Sequence, residues 1–302
     1  MANAPIEIPL RETDNILVID PNQLPVPVEE LCDILVQEET PLHYYLQLAV
    51  VYYQQNHANE AIQMLKIGLS QARAIDTVHK VPLINCLASI YLQKARRSRL
   101  NSPGDESTGL DLEEASGEQE QYFELATALY NEADRIDPRQ VLTWLGKGLL
   151  YWLRKKPDQA LEQFTNVLDV QPHNLAAKFG LARIYFHMKK YREALTLYQD
   201  LLQRRPSGVP DPRLGIGLCY HKLGMIKEAK HAFERVMELN PKDTSSRVLL
   251  AILYFNEFKS QLQTSGKPNP PLLEMGLEYL RAAYQTNSQH PVVADLMADY
   301  FF

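Results

Sequence analysis

From Val141 to Pro206 the apolar and polar positions form one block written twice. The first copy sets Trp144, Gly148 and Tyr151 at helical spacing, breaks at Lys155-Lys156-Pro157-Asp158, resumes with Ala160 and Phe164, and closes at Pro172. The second sets Lys178, Ala182 and Tyr185, breaks at Lys189-Lys190, resumes with Ala194 and Tyr198, and closes at Pro206. Tyr151 and Tyr185, Ala160 and Ala194, and Pro172 and Pro206 are each 34 residues apart. Each block therefore predicts two amphipathic helices joined by a short polar turn. The small residues at 148/182 and 160/194 let paired helices approach closely, and the aromatics at 151/185 and 164/198 fill the space between pairs. Each proline ends a second helix, because it lacks an N–H and clashes with the preceding turn. One such pair cannot bury its apolar face alone, so the period predicts stacking.

The order of residue types (large apolar, small, aromatic, then Ala, aromatic, Pro) resembles the tetratricopeptide repeat. The pattern recurs on both sides. Leu42–Leu69 carries Tyr45, Leu48, Tyr52, Ala61 and Leu65. A second repeat is split between helices expected near 82–97 and 121–136, closed by Pro138. A fifth carries Leu214, Gly217, Tyr220, Ala229, Phe233 and Pro241; Tyr185 and Tyr220 are 35 residues apart, so its entry loop at Ser207–Pro210 holds one extra residue. A sixth carries Leu250, Ala251, Tyr254, Gly276, Leu280 and Ala283. The expected fold is all-α: a right-handed TPR superhelix (an α-solenoid) of about six helix pairs with an extended N-terminal arm. Residues 1–40 form that arm and a short capping helix, since five prolines between 5 and 27 forbid a long helix there while Ile6, Ile8, Leu10, Ile16 and Val18 alternate like short strands. Residues 41–302 form the array, with an acidic disordered insert at 98–121 and a lengthened loop at 260–271. Residues 291–302 are expected to be the first helix of a truncated further repeat, with more chain beyond.

Charge sharpens this division. The chain has a net charge of −6, and residues 98–121 alone hold seven acids against Arg99, so the remainder is near neutral. That balance argues against a broad basic surface for nucleic acid. The three cysteines, Cys32, Cys86 and Cys219, are scattered and form neither a disulfide framework nor metal-ligand spacing. No apolar run is long enough to predict a membrane span. Gly146-x-Gly148 and Gly215-x-Gly217 imitate part of a dinucleotide fingerprint, but each lies inside an expected helix and lacks the third glycine; close helix packing explains them better. His187 and His221 end successive first helices, and ordinary groove positions explain them better than a metal or catalytic pair. No catalytic residue, metal or cofactor is expected, and the chain is read as not an enzyme.

In stacked pairs of this type the first helices line a concave surface that receives partners. Counting positions along those helices places Leu46 and Tyr53, then Leu142, Leu145, Leu149 and Trp152, then Phe179, Arg183 and Phe186, and finally Leu214, Leu218 and His221 on that surface. His43, Val50, Asn85, Ser89, Leu92 and Asp211 fall there by the same count. The lining is mainly apolar and aromatic, which suits a protein segment. Receptors that grip a C-terminal carboxylate need basic groove residues; the corresponding positions here are Gln47, Cys86, Gly146, Gly180 and Gly215.

The whole chain outside 98–121 also resembles the CTR-nine family, the large tetratricopeptide subunits of the RNA polymerase II-associated factor (PAF) complex, over their N-terminal half. Ile6-Glu7-Ile8-Pro9-Leu10, Leu24-Pro25 and Ile34-Leu35 are similar to the family's start. Arg213-Leu214-Gly215-Ile216-Gly217-Leu218-Cys219 with Lys222-Leu223-Gly224 is similar to a characteristic stretch of the family, and Asp299-Tyr300-Phe301-Phe302 to its Asn-His-Phe-Phe element, with Asp-Tyr in place of Asn-His. The resemblance implies a nuclear, non-catalytic scaffold for transcription elongation and co-transcriptional histone modification. It implies two direct partners, the founding subunit and the parafibromin-like subunit, with RNA polymerase II reached indirectly. Neither a membrane nor specific nucleic acid is expected as partner. Two other functions fit the repeats: a substrate-recognition module of a larger enzyme, such as a glycosyltransferase, and a co-chaperone adaptor.

Overall fold

A computed structural model describes residues 5–11, 16–25, 28–72, 77–100, 109–208, 210–288, 292–293 and 295–297. It divides into two compact units, residues 1–172 and 173–302. Apart from one β-hairpin the regular secondary structure of the described residues is helical, and the helices pair as the period predicts.

The first unit opens with antiparallel strands β1 (Ile6–Pro9) and β2 (Ile16–Ile19), registered Ile6 to Ile19 and Ile8 to Leu17. Alternation sends Ile8 and Ile19 into the core, with Ile6, Leu17 and Leu24 packed against it, while Ile16 and Val18 stay exposed. Helix α1 (Glu29–Gln37) follows, burying Leu31, Cys32 and Leu35. The arm is not free: it covers the first helix pair, α2 (Leu42–Gln54) and α3 (Ala58–Gln71). The Tyr52 hydroxyl donates to the Pro25 carbonyl at 2.8 Å, and the Gln55 side-chain amide donates to the Pro21 carbonyl. Arg11 donates its backbone N–H to Glu38 at 2.8 Å and pairs with Glu39. The Tyr52 and Gln55 bonds join the arm to the first repeat, and the Arg11 contacts tie the hairpin to the end of α1.

The second pair is longer than expected. Helix α4 runs Thr77–Leu100, so Pro82 sits in its second turn rather than at its start, where it forgoes one backbone bond. Helix α5 runs Gly109–Ile136. The expected disordered insert at 98–121 is thus corrected: both ends are helical, and only 101–108 lie outside the described residues. Acids did not forbid the helix, because Leu, Glu and Gln are good helix formers. The third pair is α6 (Val141–Leu153) and α7 (Pro157–Val170).

The second unit holds three pairs: α8 (Leu175–His187) with α9 (Tyr191–Arg204), α10 (Pro212–Lys222) with α11 (Ile226–Leu239), and α12 (Thr244–Ser265) with α13 (Pro270–Thr286). Asn174, Asp211 and Asp243 cap α8, α10 and α12 by accepting backbone N–H bonds. The lengthened loop expected at 260–271 is corrected as well. Helix α12 continues to Ser265 and stops at Gly266, which takes φ +64°, leaving a short link to Pro270. The expected helix at 291–302 lies largely outside the described residues; 292–293 and 295–297 are helical, and Val293 is buried against Leu280 and Ala283.

The Gly-x-Gly motifs have a packing role. A Cβ at Gly146 would meet the Tyr130 ring of the preceding pair at 2.4 Å, and one at Gly148 would meet Phe164 of its own pair at 2.8 Å. In the second unit Gly215 faces Tyr198 at 2.5 Å and Gly217 faces Phe233 at 2.4 Å. Each motif is clasped between two aromatic rings from successive second helices, and no dinucleotide loop is formed.

Candidate functional site

In the first unit the expected groove positions on α6 form an apolar strip. Leu142 is 57% exposed, and Leu145, Leu149 and Trp152 are half-buried. Leu46 and Tyr53 of α2 are half-buried and, like Leu149, pack partly on the core. His43 and Val50 are exposed on the same helix. Two positions fall elsewhere. Leu92 is buried in the core, and Asn85 is buried under α6, where its amide donates to the Thr143 hydroxyl at 3.0 Å. Helix α6 packs across that part of α4, so the face expected to be open is closed by the next repeat.

Side chains on the second helices hold this strip in place. Lys147, nearly buried on α6, pairs with Asp134 of α5, and Arg154 pairs with Glu120 while lying 5.7 Å over the Phe123 ring. Such bonds fix the crossing of consecutive helices; the strip itself keeps no charge along Leu142, Leu145 and Leu149.

In the second unit α8 presents Phe179, Arg183 and Phe186. Phe179 meets Tyr198 edge-on, ring centres 5.6 Å apart, and Phe186 meets Tyr191 at 5.3 Å. Both rings are half-buried and held by aromatic edges while one side stays open. Arg183 is exposed. On α10, Leu214 and Leu218 are half-buried against the Ala229–Phe233 core. His221 is half-buried too, and burial, with Lys222 beside it, lowers its pKa. Asp211 serves as the α10 cap.

The residue count missed one feature. A pocket of about 320 Å³ opens between the start of α8, the end of α9 and the loop entering α10, lined by Leu175, Ala176, Phe179, Leu201, Arg205 and Pro210 among others. Its only sequence signal was the 35-residue spacing, since the extra residue lengthens the loop that walls it.

Burial raises the thiols of Cys32, Cys86 and Cys219 to about 11, which keeps them protonated and unreactive at neutral pH. Among the described residues no group of three His, Cys, Asp or Glu side chains is placed to hold a metal ion, and no helix is long and apolar enough to cross a membrane.

Comparison with known proteins agrees with this geometry. Tetratricopeptide repeat models match residues 151–214 and 212–243. The chain is 29% identical over 303 residues to the Protein CTR9 homolog of Arabidopsis thaliana, covering 99% of this chain and 26% of that protein. It is 27% identical over 310 residues to the RNA polymerase-associated protein CTR9 of Caenorhabditis elegans, covering 98% and 24%. The chain is a tetratricopeptide-repeat relative of the CTR9 proteins. It spans about a quarter of the length of these two relatives. Among solved structures, a chain of the APC/C hetero-tetramer Cut9-Hcn1 matches with a TM-score of 0.65 at 15% identity, covering 94% of this chain and 46% of that one; the likeness is one of fold.

Proposed function

We propose that this region is a non-catalytic scaffold that holds other subunits of an RNA polymerase-associated complex on the first-helix faces of its repeats, and that it works in the nucleus. The observation that carries this is the apolar strip Leu142, Leu145, Leu149 and Trp152, left half-buried or exposed on a helix whose opposite face is fully packed. An apolar strip on a folded repeat is stabilised when another chain covers it, at roughly 25 cal/mol per Å² removed from water before ordering costs. The polymerase association printed in the C. elegans relative's name supports the setting. The partners proposed are the founding subunit and the parafibromin-like subunit, with the polymerase reached through them. In the second unit, Phe179, Phe186, Leu214 and Leu218 with Arg183 and His221 would form a binding surface of their own.

Co-expression with those two subunits, followed by crosslinking mass spectrometry, tests this reading. Crosslinks from one subunit to Lys222, exposed at the end of α10, or to the exposed Lys155 and Lys189 in the turns that follow α6 and α8, are the expected result. Crosslinks confined to the second helices, with no protection of α6, α8 and α10, would overturn it.

A further inference from the structure

The pocket beside Phe179 combines an apolar floor with an uncommitted cation. Leu175, Ala176, Phe179 and Leu201 form the floor, and Pro210 and Pro212 form a wall. Proline fixes φ and limits chain freedom, so this wall is pre-formed. The loop is pinned at two points: Gly208 donates its N–H to the Arg205 carbonyl at 3.2 Å, and the Arg213 guanidinium donates to the Pro206 carbonyl at 2.8 Å.

Charge around the pocket is unbalanced. Lys178 and Arg204, next in sequence to Phe179 and Arg205, share one carboxylate, Asp200. Arg213 is matched by Asp211 at 3.1 Å. Arg205 lines the pocket, is exposed, and pairs with no carboxylate among the described residues. Of these four bases only Arg205 lines the pocket, and it is the one with no carboxylate partner among the described residues. An arginine fork beside an apolar hollow is complementary to a carboxylate next to a large apolar side chain.

We propose that this pocket seats a large apolar side chain of a partner segment while Arg205 pairs with an Asp or Glu side chain one or two positions away. The ligand class is therefore an internal acidic–apolar peptide, and the pocket is its anchor. This deepens the scaffold reading and rests on it, because Phe179 belongs to both. A buried apolar anchor with a flanking ion pair supplies affinity and direction together, since the ion pair fixes which way the segment runs.

The test uses the chain as it stands and a short labelled peptide with Leu-Phe at its centre and Asp on both sides. The peptide is acetylated and amidated, so that side-chain carboxylates are its only anions. Fluorescence anisotropy should show binding, and replacing the Asp residues with Asn should weaken it about tenfold or more, the scale of one close ion pair. Arg205→Glu should weaken it at least as much. Ala176 is exposed on the first turn of α8, so Ala176→Trp should fill the pocket and abolish binding while the circular dichroism melt stays unchanged. Should Ala176→Trp lower the melt, Arg205→Glu carries the test alone, because that side chain is exposed. Leu125→Ser, at an exposed position of α5 outside both proposed sites, should leave peptide binding unchanged. Failure of the peptide to bind, or equal binding by the Asn peptide and by Arg205→Glu, overturns the proposal. A peptide that binds only with a free C-terminus overturns it in favour of terminal-carboxylate capture. If the peptide fails while co-expressed subunits are still lost on Leu142→Asp, the pocket proposal falls and the scaffold reading stands.

Discussion

A Cβ on Gly146 would lie 2.4 Å from the Tyr130 ring, closer than two carbons can approach. Tyr130 is buried on the preceding second helix, so the ring has no free space to move into. The helix carrying Trp152 and Leu142 is therefore registered on its neighbour by a glycine. Gly146→Ala should destabilise the chain by about 1–3 kcal/mol through overpacking. Gly117 is the control: a Cβ there meets nothing within 4 Å on an exposed part of α5. Gly117→Ala should stabilise by about 1 kcal/mol through helix propensity. Urea midpoints of the two variants, moving in opposite directions, check both statements.

The turns between paired helices hold a second regularity. Asn56, Lys155, Lys189 and Gly224 all take positive φ, at +66°, +57°, +62° and +80°. They occupy the same place in their repeats, yet only one is glycine. A side chain in the left-handed region costs about 1–2 kcal/mol, and the entropy of glycine offsets part of the gain on removal. Lys155→Gly and Lys189→Gly should therefore each stabilise by up to about 1 kcal/mol, whereas Gly224→Ala should destabilise by about the same. Thermal midpoints of the three variants decide it.

Tyr45 is fully buried beside Gly68, and its hydroxyl has no hydrogen-bond partner among the described residues. Burial also pushes its pKa up to about 12, with a smaller contribution from Cys32. An unpaired buried hydroxyl costs about 1–3 kcal/mol. Tyr45→Phe keeps the ring and removes the orphan atom, so it should raise stability by about 1 kcal/mol or more. A lower urea midpoint for this variant would mean that the hydroxyl is satisfied after all.

His221 gives folding stability a pH dependence. Burial, then the Lys222 charge, lowers its pKa below the ordinary value. The native state therefore binds fewer protons than the unfolded chain as pH falls through the ordinary histidine value, and stability falls with it. The loss begins as pH drops through about 6.5 and levels off below the folded-state pKa. His221→Gln should flatten this part of the stability curve between pH 8 and pH 5. Parallel curves for variant and parent would place the dependence on another group.

The sequence period fixed the helix pairs because spacing at 34 residues is a property of buried contacts, and those contacts formed: Tyr130, Phe164, Tyr198 and Phe233 each meet a glycine of a first helix. What escaped were features set by local chemistry rather than by the repeat. Helix α5 extends through an acid-rich stretch because helix propensity outweighs charge there, and α12 runs on to Gly266 because nothing earlier breaks it. The N-terminal segment reads as alternating strands in sequence, but its attachment rests on Tyr52 and Gln55, which no local pattern links to Pro25 and Pro21. The accessibility of first-helix positions was legible where such a helix starts on its repeat boundary, as at Leu142 and Phe179. They failed at Asn85 and Leu92, where α4 starts early and α6 covers it. The pocket at Arg205 was invisible as a pocket, though one extra residue marked its loop.

The most direct measurement is co-purification of the founding subunit with Trp152→Ala/Phe179→Ala, alongside a circular dichroism melt of the variant. The two side chains are half-buried aromatics on first helices of separate units, and removing such anchors typically costs about 2 kcal/mol or more of binding each. A chain that keeps its melt but no longer retains the subunit is the predicted result. A folded double variant that retains the subunit as well as the parent does would contradict partner binding by the groove.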